Sequence, residues 1–167
     1  MLRLLSISAI GILAAGCTNG DPAPDVSTAM SAAADVNAVD QALPTVLVYK
    51  TPTCGCCNGW IGHLEAAGFT VDARNITDIM SVKRDGGVPV AMSSCHTALI
   101  DGYVVEGHVP VEQIRRLLAE RPDIAGIAVP GMPPGSPGME SRNPQPYQVL
   151  SFGHDGSAGV FAEIDPR

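Results

Sequence analysis

Positive charge is scarce in this chain: Lys and Arg total 10 against 17 Asp and Glu, for a net charge of −7. No basic stripe exists that could neutralise a run of phosphates, which excludes nucleic acid as a partner class. Aromatic residues are few as well, at 4%, so the core has to be filled mainly by aliphatic side chains, within a hydrophobic content of 46%. A long apolar run is also missing. Residues 4–15 come nearest, and they fall short of the ~20 residues a spanning helix needs. No internal repeat is visible, and 167 residues suit one domain with a tail at each end.

What the chain does have is sulfur concentrated in one place. Three of its five cysteines lie within Cys54-Gly55-Cys56-Cys57. An apolar β-branched run, Val46-Leu47-Val48-Tyr49, comes just before them. A helical pattern comes after, with Trp60, Ile61 and Leu64 on one side and Gly68 as its stop. The thiols therefore sit where a strand hands over to a helix N-terminus, whose free N–H groups and dipole favour thiolate. Cys54 and Cys57 form a C-x-x-C pair of the kind used in thioredoxin-like redox sites. Cys56 is a third thiol that a disulfide exchanger does not need, and it makes better sense as a metal ligand. The bland alternative is a buried disulfide with one spare cysteine.

The N-terminus reads as a signal peptide over residues 1–16: a basic start at Arg3, an apolar stretch, then Ala14-Ala15-Gly16-Cys17. This end resembles a bacterial lipobox, with Ala14 where leucine is most usual. The resemblance implies lipidation at Cys17 and, with Thr18 following, an outer-membrane anchor facing the periplasm. Arg3 is the only charge before Cys17, so a chain cut there is one unit more negative. Residues 17–43, rich in Ala, Asp, Ser and Pro, read as a tether. The domain itself is expected over 44–167. The pattern predicts a strand over 45–50, a helix over 57–67, a strand over 69–74 and a short helix over 77–84 capped by Thr77. It continues with an extended segment over 93–100, an Asp101-Gly102 hairpin turn, and a helix after Pro110 with Val111, Ile114, Leu117 and Leu118 inward. A Pro/Gly-dense loop over 127–139, barred from helix and from central strand, precedes a hairpin of 147–152 and 159–164.

This β-α-β-α-β-β-α order, with thiols at the first strand-to-helix turn, resembles a thioredoxin or glutaredoxin fold: a mixed α/β sheet flanked by helices. Glutaredoxin-like chains place a Val-Pro pair opposite their C-x-x-C, whereas here Cys95-His96 falls at that place. Cys95 is thus expected within reach of Cys54 or Cys57. The candidate ligands are Cys54, Cys56, Cys57 and Cys95, with His96, His108, Met132 and Met139 around them. On a regular strand the His96 ring points to the opposite face from Cys95, so it joins only if the chain bends there. Thiolates and thioethers select soft ions, above all Cu(I). Four cysteines also fit tetrahedral zinc. Neighbouring Cys56 and Cys57, about 100° apart around a helix, are awkward ligands for one ion and suit bridging of several. Four thiolates and four monovalent coppers cancel in charge, so such a cluster can be partly buried without a large Born cost.

Four segments together are similar to the CopG-type copper-resistance proteins, part of a cysteine-rich family of metal-binding proteins with an unassigned domain. They are Thr53-Cys54-Gly55-Cys56-Cys57, Ser94-Cys95-His96-Thr97-Ala98, the residues from Gly102 to Pro110, and those from Val129 to Glu140. The resemblance covers nearly everything over 45–161. It implies a periplasmic thioredoxin-like domain holding a multinuclear copper cluster on Cys54, Cys56, Cys57 and Cys95, with the histidines and methionines close by. A role in copper redox interconversion is also implied. The reading is a lipid-anchored envelope protein that binds Cu(I), with copper ions, the membrane and a copper-export or redox protein as partners. The rival readings are a thiol–disulfide or Cu(I)/Cu(II) oxidoreductase and a structural zinc domain.

Overall fold

A computed structural model describes residues 43–167. The expected signal peptide over 1–16, the lipidated Cys17 and all of the tether except Leu43 lie outside the described residues. Within them the chain runs β1 (Val46–Lys50), α1 (Gly55–Ala66), β2 (Val71–Asn75), α2 (Ile79–Asp85), β3 (His96–Ile100), β4 (Tyr103–Glu106), α3 (Val111–Glu120), β5 (Gly126–Ala128), β6 (Tyr147–Phe152) and β7 (Ala158–Ile164). The strands form one mixed sheet in the order β2-β1-β3-β4-β5-β6-β7. Pairing is parallel at β1–β2 and β4–β5 and antiparallel elsewhere. The first three helices' worth of this arrangement is thioredoxin-like, and the C-terminal hairpin extends the sheet. No helix among the described residues is long and apolar enough to cross a membrane.

Period-two alternation splits the core between the two faces of the sheet. Val105, Ile127 and Val149 pack with Trp60, Ile61 and Leu64 of α1 and Ile114 and Leu117 of α3. Their chain neighbours Val104 and Ala128 join Val88, Met92 and Phe152 on the opposite face. There α2 lies close enough that a Cβ on Gly86 would sit 3.4 Å from Val104. Trp60, Leu64, Ile114, Leu117 and Ile127 are fully buried. Each such side chain contributes roughly 1.5–3 kcal/mol through removal from water.

Several boundaries differ from the sequence expectations, each for a local reason. Helix α1 starts at Gly55 rather than 57, because the Cys54 sulfur caps it by accepting from the Cys57 N–H at 3.3 Å. Strand β2 begins at Val71, since Gly68 (φ +90°) closes the helix and the Phe69 N–H still donates back to the Leu64 carbonyl. Asp78, not Thr77, caps α2, accepting from the Ser81 N–H at 3.1 Å. Strand β3 begins at His96, after a single 3-10 turn at Val90–Met92.

The largest correction concerns the Pro/Gly-dense stretch. Its opening residues do form an interior strand, β5, lying between β4 and β6. The prolines begin only at Pro130, so Gly126, Ile127 and Ala128 keep the N–H groups a ladder needs. Gly126 is required by space: a Cβ there would meet the Val104 carbonyl oxygen at 2.1 Å and the Phe152 ring at 2.8 Å. Gly126→Ala is therefore expected to destabilise the fold by about 1–3 kcal/mol through overpacking, read as a lowered urea midpoint with an unchanged slope.

Candidate metal centre

The β1–α1 turn delivers three sulfurs to one end of the sheet. Cys54, part-exposed at the cap, and Cys57, fully buried in the first turn, are joined as a disulfide with Cα atoms 5.4 Å apart. A C-x-x-C on the first turn of a helix places its Cα atoms within disulfide range. The pairing leaves Cys56 and Cys95 as the free thiols among the described residues, where four thiolates were expected. Cys56 Sγ lies 3.6 Å from Cys54 Sγ. Cys95, at the entry to β3, brings its sulfur to 3.5 Å from that of Cys57. All four sulfurs lie within 4.8 Å of one another.

Cys95 is also the hinge of a second group. Its sulfur is 3.3 Å from His96 Nδ1 and 2.9 Å from His108 Nε2, and the three residues offer ligand atoms within 4.8 Å of one another. His96 reaches the site because it is the first residue of β3, where the extended alternation has only begun. Its ring is buried against Trp60, with centroids 4.4 Å apart. The indole is itself fixed, donating from Nε1 to the Val109 carbonyl at 2.8 Å. His108 Nδ1 donates to the Pro137 carbonyl at 2.8 Å, which sets the tautomer and leaves a lone pair on Nε2 facing Cys95. Metal-binding histidines are held by this kind of outer contact.

Burial keeps these groups neutral. Desolvation, reinforced by nearby His108 and Lys83, brings the His96 pKa down to about 3, and desolvation also lowers that of His108. Burial and the neighbouring Cys56 push the Cys95 thiol up to about 11. The helix-dipole argument that favours thiolate applies to the α1 cysteines and does not reach Cys95. Metal binding there has to displace a proton. His96 Nε2 is buried with no hydrogen-bond partner.

The loop over 130–140 lies across the first turn of α1. A Cβ on Gly138 (φ +81°) would sit 2.5 Å from the Cys56 carbonyl oxygen, so only glycine permits this approach. Glu140 ties the loop end to His63 of α1 at 2.7 Å, and this exposed histidine belongs to neither group of converging ligand atoms. The loop start is held by Ser93, whose carbonyl accepts from the Gly131 N–H at 3.2 Å, and by the Ser94 hydroxyl, which donates to the Gly131 carbonyl. Met132 is 51% exposed and Met139 part-buried, both on this loop.

One pair of functional residues escaped the sequence reading. Glu106 is fully buried at the end of β4 and is salt-bridged to Lys83 of α2, also buried. The same carboxylate accepts from the Ser94 N–H at 2.6 Å and from the Thr97 hydroxyl at 2.7 Å. A lone glutamate closing the otherwise apolar Tyr103–Glu106 strand was the available signal.

Comparison with known proteins bears on this geometry. The family model described as "Protein of unknown function, DUF411" matches residues 92–139, the segment carrying Cys95, His96, His108, Met132 and Met139. The solved structure "Copper resistance protein copG- Form 2" is 48% identical, covering 74% of this chain and 99% of its own, with a TM-score of 0.71. "Copper resistance protein copG- Form 1" is 49% identical, covering 73% of this chain and 98% of its own, with a TM-score of 0.69. Among curated proteins nothing matches. The chain belongs to the CopG copper-resistance family. In this member of the CopG family the cysteine cluster and the Cys95–His96–His108 group share one sulfur and form a single candidate centre.

Lys83→Met tests what holds that centre in place. It strands the Glu106 carboxylate in the interior, and breaking a buried pair from one side costs about 3–5 kcal/mol. The expected result is a chemical-denaturation midpoint far below that of the unaltered protein.

Proposed function

We propose that this protein binds Cu(I) in the cell envelope, in a multinuclear cluster bridged by the thiolates of Cys54, Cys56, Cys57 and Cys95. The observation that carries the reading is the convergence of four sulfurs within 4.8 Å, three from one turn and one from a distant strand. Sulfur donors select soft monovalent copper. A neutral cluster suits a site where Cys57 is fully buried. Neutral His96 and His108 fit as additional nitrogen donors at the Cys95 edge. Met132 and Met139 fit as soft thioethers or as a cover supplied by the loop. Using Cys54 and Cys57 as ligands requires their disulfide first to take up two electrons. In this reading copper is the cargo and the protein's part in copper resistance is to lower free Cu(I). Lipidation at Cys17 and a periplasm-facing position belong to the same proposal, on the strength of the N-terminal sequence, and a copper-export or redox partner belongs to it through the likeness to copper-resistance proteins.

A second reading is a thiol–disulfide or Cu(I)/Cu(II) oxidoreductase, favoured by the Cys54–Cys57 disulfide on a thioredoxin-like scaffold. Turnover separates the two: catalytic disulfide reduction or copper cycling that is lost in Cys54→Ser supports the enzyme. Titration of reduced protein with Cu(I) against a competing chelator tests the cluster. The expected outcome is more than one copper per chain, with Cys95→Ser losing the multi-copper stoichiometry. A single ion per chain, or binding indifferent to Cys95→Ser, overturns it. Zinc near one per chain in protein isolated without added metal points to the structural zinc alternative instead.

A further inference from the structure

We propose that the disulfide is not fixed at Cys54–Cys57 but migrates to Cys57–Cys95, with the Cys95 sulfur as the internal nucleophile. A free thiol flanks each end of the bond: Cys56 is 3.6 Å from Cys54, and Cys95 is 3.5 Å from Cys57. The two possible exchanges are not equivalent. Attack by Cys56 on Cys54 would expel Cys57 as a thiolate at a position with no solvent exposure, and an unpaired buried charge is costly. Attack by Cys95 on Cys57 expels Cys54 instead. Cys54 is part-exposed at the N-cap, with the Cys57 N–H 3.3 Å from its sulfur and the positive end of the α1 dipole beside it. The better leaving group therefore lies on the Cys95 route.

The step balances without an outside reagent. The Cys95 S–H proton is relayed through His108 Nε2, 2.9 Å away, during the exchange itself and not beforehand, since burial holds both groups neutral at rest; the ring accepts because its Nδ1 donates to Pro137. The Cys95–Cys57 bond forms as the Cys57–Cys54 bond breaks, and the Cys54 thiolate takes a proton back. One disulfide is consumed and one formed, so no net oxidation occurs. The three sulfurs are bent rather than in line, since Cys95 also lies within 4.8 Å of Cys54. Rotation of the Cys95 side chain is the movement that the exchange requires. Its product leaves Cys54 and Cys56, the two part-exposed cysteines of the turn, both reduced while the buried sulfur stays oxidised. For the copper reading this means a rim pair available to a first ion before any reductant acts.

Disulfide mapping of the oxidised protein in the absence of copper tests the proposal. Trypsin cuts after Lys50, Arg74, Arg84 and Arg115, so a Cys54–Cys57 bond stays inside one peptide while a Cys57–Cys95 bond joins two. After acid quench, alkylation with N-ethylmaleimide in denaturant and digestion, mass spectrometry is expected to find the joined peptides with Cys54 and Cys56 alkylated. The joined species should vanish in Cys95→Ser and persist in Cys56→Ser. Unaltered protein that yields only the single-peptide disulfide, or joined peptides linked through Cys54 or Cys56, overturns the proposal. Because no copper is present, that failure would leave the metal-binding reading untouched, and a failed copper titration would leave the migration untouched.

Discussion

A carboxylate sealed from solvent sets the geometry on which the sulfur cluster depends. Removing Glu106 and Lys83 from water costs several kcal/mol per ion, and mutual attraction offsets this only when every remaining lone pair and proton is used. Here most are used: the carboxylate takes the Lys83 ammonium, the Ser94 N–H and the Thr97 hydroxyl, and Lys83 donates again to Thr97 at 3.1 Å. Four groups from α2, β3, β4 and the turn before Cys95 are thereby held to one point. The chain leaves Glu106 through Gly107 (φ +72°), where a Cβ would fall 2.5 Å from that of Ser94. The buried pair thus holds both approaches to the cluster, the one that ends in Cys95 and the one that ends in His108.

The opposite face of the site is built from packing and close backbone contact. Trp60 fills the space under His96 and spends its only polar atom on the Val109 carbonyl, just beyond His108. The loop over 130–140 reaches α1 because Gly59 and Gly138 meet with no side chain between them: a Cβ on Gly59 would lie 3.0 Å from Gly138 Cα. That approach puts the Pro137 carbonyl where it orients the His108 ring. Tautomer, ring position and sulfur separation are therefore consequences of backbone placement. The loop's prolines reduce the entropy that has to be lost in holding it there.

Much of this could be read from residue order. The C-x-C-C turn between a β-branched run and an amphipathic helix, the Asp101-Gly102 hairpin and the apolar face of α3 are local patterns, and local patterns are what spacing encodes. Cys95 is placed by its distance from the Asp101-Gly102 hairpin, since β3 and β4 are joined by a two-residue turn of fixed register. Strand β5 was hidden because three residues carry little periodicity, and the prolines after them lent the whole stretch a loop's appearance. The Lys83–Glu106 pair spans 23 positions, and nothing in either residue's neighbourhood announces the other. His96 was ambiguous for a different reason. Strand alternation fixes a side chain's face only once the strand has begun, and His96 is where it begins.

The same four sulfurs have a disulfide state, a fully reduced state and, in the proposed copper reading, a metal-bound state, and burial acts on each. With Cys54 and Cys57 joined, the centre carries a neutral disulfide and two thiols, and its buried sulfur needs no counter-charge. With all four reduced and no metal bound, each thiolate formed would repel the next in a confined, part-buried space. Burial first, and the neighbouring Cys56 second, push the Cys95 thiol up, the direction that such repulsion favours. In the proposed copper reading, monovalent soft cations would take the place of the thiol protons and keep the centre neutral. The disulfide and a bound metal would draw on the same Cys54 and Cys57 sulfurs, so in that reading release of metal and oxidation of sulfur are thermodynamically linked.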